Sequence, residues 1–161
     1  PTSYAKYGLV LNKRQGEDLV APLEAKGMVG FPMYFAKALT PNGRYPTSAK
    51  DARMPRVYTL RDRADRPHRA YRMVVVENEL EGQYYGVQGT TWKHPPIVDG
   101  TFDRLRMRGR SYELHYDGKR LRTVVWRTSK ATYWVSNTLS LKLSNNQMRG
   151  LARSLTRLGE K

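Results

Sequence analysis

The sequence predicts an α+β fold: an antiparallel β-sheet of roughly five to seven strands, with a short N-terminal helix and a C-terminal amphipathic helix packed on it. Alternation is the first observation behind this. In Arg110–Tyr116, residues Tyr112, Leu114 and Tyr116 alternate with Glu113 and His115, the period of a strand with one dry face. The second is the dipeptide Asp117-Gly118, which tolerates the positive φ of a tight hairpin turn and precedes a returning run, Leu121–Trp126. The third lies at the C-terminus, where Ser144-Asn145-Asn146-Gln147 fits a capping box. Met148, Leu151, Ala152, Leu155 and Leu158 then recur at helical spacing up to Gly159. A second turn at Ser129-Lys130 leads into Tyr133-Trp134-Val135, so residues 110–158 read as a three-stranded meander covered by one helix.

The 161 residues read as a single domain. Residues 1–15 form a lead-in segment with an edge strand, in which Tyr7, Leu9 and Leu11 share one parity and Tyr4 and Val10 the other. Asp18 is placed to cap a short helix carrying Leu19, Val20, Leu23 and Ala25. Pro22 fits if that helix has just begun, and Gly27 closes it. Phe31, Met33 and Phe35 share a parity in Met28–Phe35, with Pro32 restricting this run to a sheet edge or a strand start. Residues 40–55, rich in Pro, Gly, Asn and Ser, form a surface loop. Arg56–Leu60 and His68–Glu77 are strands joined by the charged connection Arg61–Pro67, and Met73–Val76 is apolar on both faces, as in a strand packed on two sides. Gly82–Trp92 is the next strand, with Gly86 and Gly89 marking bulges or close approach of backbone, and Lys93-His94-Pro95-Pro96 ends it. Thr101–Arg108 follows, its arginines alternating with Leu105 and Met107.

The formal net charge is +15, from 29 Lys and Arg against 14 Asp and Glu. Such a surface attracts polyanions: nucleic acid, anionic lipid head groups, or the phosphate and uronate polymers of a bacterial envelope. There is no cysteine, which excludes disulfides, thiolate metal sites and a thiol nucleophile. No apolar run approaches the roughly 18 residues of a membrane-spanning helix. The start at Pro1 carries neither the basic region nor the apolar core of a signal peptide, so the chain is expected to be a piece of a longer protein with any export signal or anchor outside it.

His68, His94 and His115 lie in separate elements without metal-ligand spacing and read as ordinary, partly exposed histidines. Glu77, Glu79 and Glu81 read as a solvated strand end, since calcium sites gather ligands from a tight loop. There is no G-x-S-x-G elbow, and the glycines of Gly82–Gly89 lack the strand-then-helix context of a phosphate loop. No catalytic residue, metal or cofactor is predicted. The arginines are the candidate binding residues. Arg104, Arg106, Arg108 and Arg110 share one parity, and Arg149, Arg153 and Arg157 share a helical face, giving two rows of planar forks suited to phosphate or carboxylate.

Three segments carry a family resemblance: Tyr71-Arg72-Met73-Val74-Val75, Gly82 through Trp92, and Tyr133-Trp134-Val135-Ser136-Asn137-Thr138-Leu139. They resemble the region after the catalytic domain in some actinobacterial proteins of the LytR-CpsA-Psr family, from about Gly27 onward. Members of that family are membrane-anchored extracytoplasmic enzymes that move glycopolymers from a polyisoprenyl pyrophosphate carrier to peptidoglycan. The family's catalytic segments have no counterpart in this sequence. The resemblance therefore implies location and context: a non-catalytic accessory domain of a cell-envelope glycopolymer ligase, with a transferase domain preceding it in the same chain. In that setting the arginine rows would bind an anionic wall polymer or phospholipid head groups.

Two other readings stay open: a sequence-independent nucleic-acid-binding domain, and a small-ligand or lipid carrier with an apolar cavity between sheet and helix. Against the first, the sequence has no helix-turn-helix pair, zinc module or RNP-like aromatic signature.

Overall fold

A computed structural model describes residues 3–160. After a 3-10 turn at Tyr4–Tyr7 come β1 (Val10–Leu11), α1 (Lys13–Ala25), β2 (Phe35–Ala36) and β3 (Ala38–Leu39). β4 (Arg56–Arg61), β5 (Pro67–Asn78) and β6 (Gln83–Thr90) follow, then a 3-10 turn at Pro96–Val98. β7 (Asp103–Met107), β8 (Arg110–Asp117), β9 (Arg120–Arg127), β10 (Thr132–Ser136), α2 (Asn145–Arg153) and β11 (Leu155–Thr156) complete the chain. β4 to β10 form one antiparallel sheet in the order β4-β5-β6-β10-β9-β8-β7, while β1 with β3 and β2 with β11 make two short pairs. The α+β expectation holds, with seven strands in the main sheet.

Alternation places Tyr71, Met73 and Val75 of β5, Tyr85 and Val87 of β6, Tyr133 and Val135 of β10, and Val124 and Trp126 of β9 on one face. That face is covered by Met148, Leu151 and Ala152 of α2, by Val20 of α1, and by Phe31, Met33 and Phe35. Glycine is required at two close approaches in the sheet, Gly86 against the backbone of the neighbouring strand and Gly89 under the packed rings. A Cβ on Gly86 would meet the Met73 carbonyl oxygen at 2.4 Å, and one on Gly89 the Tyr71 and Tyr133 rings at 2.5 and 2.8 Å. Both glycines thus mark close approach, and the irregularity of the β5–β6 ladder falls between Val76 and Asn78.

Much of the covering layer is irregular, so its backbone carbonyls need donors from elsewhere. Buried tyrosines supply them. Tyr71 donates to the Tyr34 carbonyl at 2.6 Å, Tyr133 to Pro32 at 2.6 Å, Tyr45 to Ala36 at 2.8 Å and Tyr112 to Ala152 at 3.1 Å.

Several local expectations are corrected or refined. The first helix starts at Lys13 behind Asn12 and not at Asp18, because its first turn is polar and offers no apolar period to read; Pro22 therefore lies inside it. Gly27, at φ +61°, does end it. In the lead-in segment only Val10–Leu11 is extended, and of Met28–Phe35 only Phe35 reaches a strand. Residues 40–55 lack regular structure, yet Tyr45 is wholly buried and Arg44 bridges to Val76. Finally, the last helix stops at Arg153 instead of running to Leu158. Ser154 is buried, its hydroxyl donates to the Leu151 carbonyl at 2.8 Å, and Leu155–Thr156 turns away to pair with β2. The capping box at its start has both halves, at 3.0 and 3.1 Å.

Candidate functional site

Among the described residues, neither α1 nor α2 covers the other face of the sheet. Register places one residue of each strand in a single row across it: Arg56, Arg72, Gln88, Trp134, Val125, Glu113 and Arg104, from β4 through to β7. At the usual strand spacing this row is roughly 29 Å long. It begins with two arginines directly opposite one another, an arrangement that is repulsive unless something anionic lies between them. Neither Arg56 nor Arg72 forms an ion pair among the described residues. The row ends at Arg104, whose neighbour on the same edge strand and face is the exposed Arg106.

Between these ends the chain from Thr91 to Phe102 straps across the face, because β6 and β7 are separated by three strands. Val98 anchors it on Val125 and Trp134. The Lys93 carbonyl accepts from Thr132 Oγ1 at 2.8 Å and from Arg127. Phe102 settles 5.5 Å from the His115 ring.

A cleft lies on each side of the strap, and His94 and Asp99 line both. The first, about 470 Å³, is walled by Phe102, Arg104, Ser111, Glu113 and Arg127. The guanidinium of Arg104 sits 5.5 Å from the Phe102 ring and donates to Ser111 Oγ at 2.9 Å. Glu113, 8 % exposed, accepts from Arg127 at 2.9 and 3.3 Å and lies 3.4 Å from His115 Nε2. Burial pushes its carboxyl pKa up, but Arg127 and then His115 outweigh burial and hold it below the ordinary carboxylate value. The second cleft, about 440 Å³, is walled by Asp62, Arg63, Arg66, Trp92 and Pro96. Trp92 stacks on His68 at 5.4 Å, and His68 bonds Asp62 at 2.9 Å. That bond, with the Arg66 amide, brings the Asp62 pKa to about 2. Each cleft therefore pairs an aromatic ring with guanidinium groups and carries one carboxylate already neutralised by a partner, while Asp99, which lines both, has no ion pair among the described residues.

The seven arginines singled out by sequence are not gathered on one surface. Arg104 and Arg106 lie on the outer face. Arg108 and Gly109, at φ +55° and +69°, form a two-residue hairpin turn in which Met107 pairs with Arg110, so parity reverses across it and Arg110 falls on the core side. Arg108 donates to the carbonyls of Arg153 and Leu155 at 2.9 and 2.8 Å, and Arg110 to Leu155 at 2.9 Å. Arg110 also stacks on Trp126 at 4.0 Å, and both arginines face Glu160 at 3.6 and 3.7 Å. These two satisfy the carbonyl end of α2, where a cation is favoured. Arg149 and Arg153 are half-buried on α2, and Arg157, beyond the helix end, lies exposed beside a cleft with Glu24 and Phe31.

His115 is buried, where a partly exposed histidine was expected, because the strap covers it. Glu79 pairs with Arg44 and Arg53. Among the described residues, no group of three His, Cys, Asp or Glu is placed to hold a metal ion, and no helix is long and apolar enough to cross a membrane. Sequence reasoning missed Arg56 and Arg72, although counting back from the charged turn between their strands puts them opposite each other. It also missed Phe102 and Trp92 as cleft walls, since only the strap's path brings them onto the sheet. Comparison with protein-family models, with curated proteins and with solved structures finds no match for this chain.

Proposed function

We propose that this chain is a non-catalytic, extracytoplasmic accessory domain of a cell-envelope glycopolymer ligase of the LytR-CpsA-Psr type, and that its outer sheet face holds an anionic glycopolymer. Family and location rest on the resemblance of the three segments quoted above. The binding mode rests on one observation, the row with Arg56 and Arg72 at one end and Arg104, flanked by Arg106, at the other, with one ring-walled cleft at its Glu113–Arg104 end and a second where the β4–β5 turn meets the strap. Guanidinium forks suit phosphate or uronate oxygens, and aromatic walls with a few fixed polar groups suit sugar rings. A transferase domain in the same chain would supply the chemistry. The carrier reading has less support, since Tyr45, Tyr71, Tyr112, Tyr133, Phe35 and Leu151 fill the space between sheet and helices.

Fluorescence polarisation with labelled teichoic-acid-like and arabinogalactan polymers, and with DNA of similar length, tests this. The expected result is polymer binding that weakens with salt. R104Q/R106Q and R56Q/R72Q should each lower affinity about tenfold or more, as losing one or more charge-assisted bonds does, while R149Q should leave it unchanged. Absence of salt-sensitive polymer binding, or a clear preference for DNA, would overturn the reading.

A further inference from the structure

We infer that one end of the sheet, carried by Leu80 and Leu139, docks into the interfacial layer of an anionic lipid bilayer. Leu80 and Leu139 are 99 % and 105 % exposed, the two extremes among the large apolar side chains that reach solvent. They stand at the same end. Leu80 tips the turn between β5 and β6, and Leu139 tips the loop after β10, whose last residue Ser136 pairs with Gly86 of β6 and Thr123 of β9. The two loops are tied together, Ser140 donating to Gln83 Oε1 at 3.0 Å and Lys142 lying 3.9 Å from Glu81. The turn between β8 and β9, with Lys119, closes the same end, and the exposed Tyr84 and Tyr116 stand near it on β6 and β8.

Leu139 is held out by a built loop. The buried Asn137 side chain donates to the carbonyls of Leu121 and Leu143 at 2.9 and 3.0 Å and accepts from the Thr138 and Leu143 amides at 2.7 and 3.1 Å. Arg120 donates to the carbonyls of Leu141 and Leu143 at 2.7 and 2.8 Å. A loop so fixed cannot fold its leucine back, and a leucine presented to water in this way has no stabilising role within the chain.

The shape fits a bilayer better than a protein. Protein interfaces have packed, continuous apolar centres, whereas lipid interfaces accept separate projecting side chains flanked by tyrosine and lysine. Charge agrees. Glu79 is paired with Arg44 and Arg53, and Glu81 with Lys142, so the turn bearing Leu80 does not present bare carboxylates; in the neighbouring turn the exposed Asp117 is offset by Lys119, and the attraction to anionic lipid comes from the +15 of the whole chain. With this end on the lipid, the strands point toward the bilayer and the arginine row lies parallel to it.

Cosedimentation with vesicles of phosphatidylcholine alone, and of phosphatidylcholine mixed with phosphatidylglycerol, tests the docking. The full chain should bind the mixed vesicles. L80S/L139S should weaken this by roughly tenfold for each leucine, L80I/L139I should restore it, and both variants should keep the wild-type circular dichroism. Failure of the wild type to bind, or undiminished binding by L80S/L139S, would overturn the inference. L80S/L139S should also keep wild-type polymer affinity, so this inference and the glycopolymer reading fail separately.

Discussion

Eleven tyrosines against three phenylalanines is a large imbalance for a chain whose aromatics mostly face inward. The hydroxyls account for it: Tyr133 and Tyr71 reach from the sheet into carbonyls that no helix or strand partner satisfies. Burial raises the pKa of both hydroxyls, so they remain donors at any ordinary pH. Tyr133→Phe should keep the ring packing but strand the Pro32 carbonyl, lowering unfolding free energy by about 1–3 kcal/mol in a denaturant titration. Glu113 makes a different residue-scale prediction. Its folded pKa lies below the unfolded value, so its contribution is present at neutral pH and is lost as pH falls through the folded pKa. The stability gap between wild type and Glu113→Gln should therefore be widest above about pH 5 and close progressively below about pH 4, as read from urea midpoints across pH.

Among the elements, those whose signal is local were legible. Ser144 and Gln147 declare the start of α2 within four residues, and Asp117-Gly118 declares a hairpin. Ser144→Ala should remove one half of the capping box and cost about 1 kcal/mol, measured as a shift in thermal midpoint against a neutral surface variant. What was not legible depended on partners far along the chain. Leu155 keeps the helical spacing of Leu151, yet β2 draws it into a ladder. Arg110 keeps the numerical parity of Arg106, yet the Arg108-Gly109 turn carries it to the opposite face; Gly109 was the available sign, and reading residues 104–110 as one segment passed over it. The candidate site was correspondingly half visible. Arg104 and Arg106 were identified, while Arg56, Arg72, Phe102 and Trp92 needed strand order and the strap's path.

At the scale of the whole molecule, the arginines behind much of the +15 charge include some that hold the fold together and others that face outward. Arg108, Arg110, Arg120 and Arg127 serve backbone carbonyls or Glu113. Arg56, Arg72, Arg104 and Arg106 on the outer face, with Arg63 and Arg66 at the second cleft, remain for a ligand, and the salt dependence expected of polymer binding should follow these outward groups.

The position of β10 has one more consequence. It lies between β6 and β9, yet it is the last of the seven strands to be synthesised. Until residue 136 has left the ribosome, the chain can build only two separate three-stranded halves, each with a bare inner edge. Thr132–Ser136 is thus a late-arriving wedge, and premature termination before it would leave two sticky fragments open to joining other molecules edge to edge.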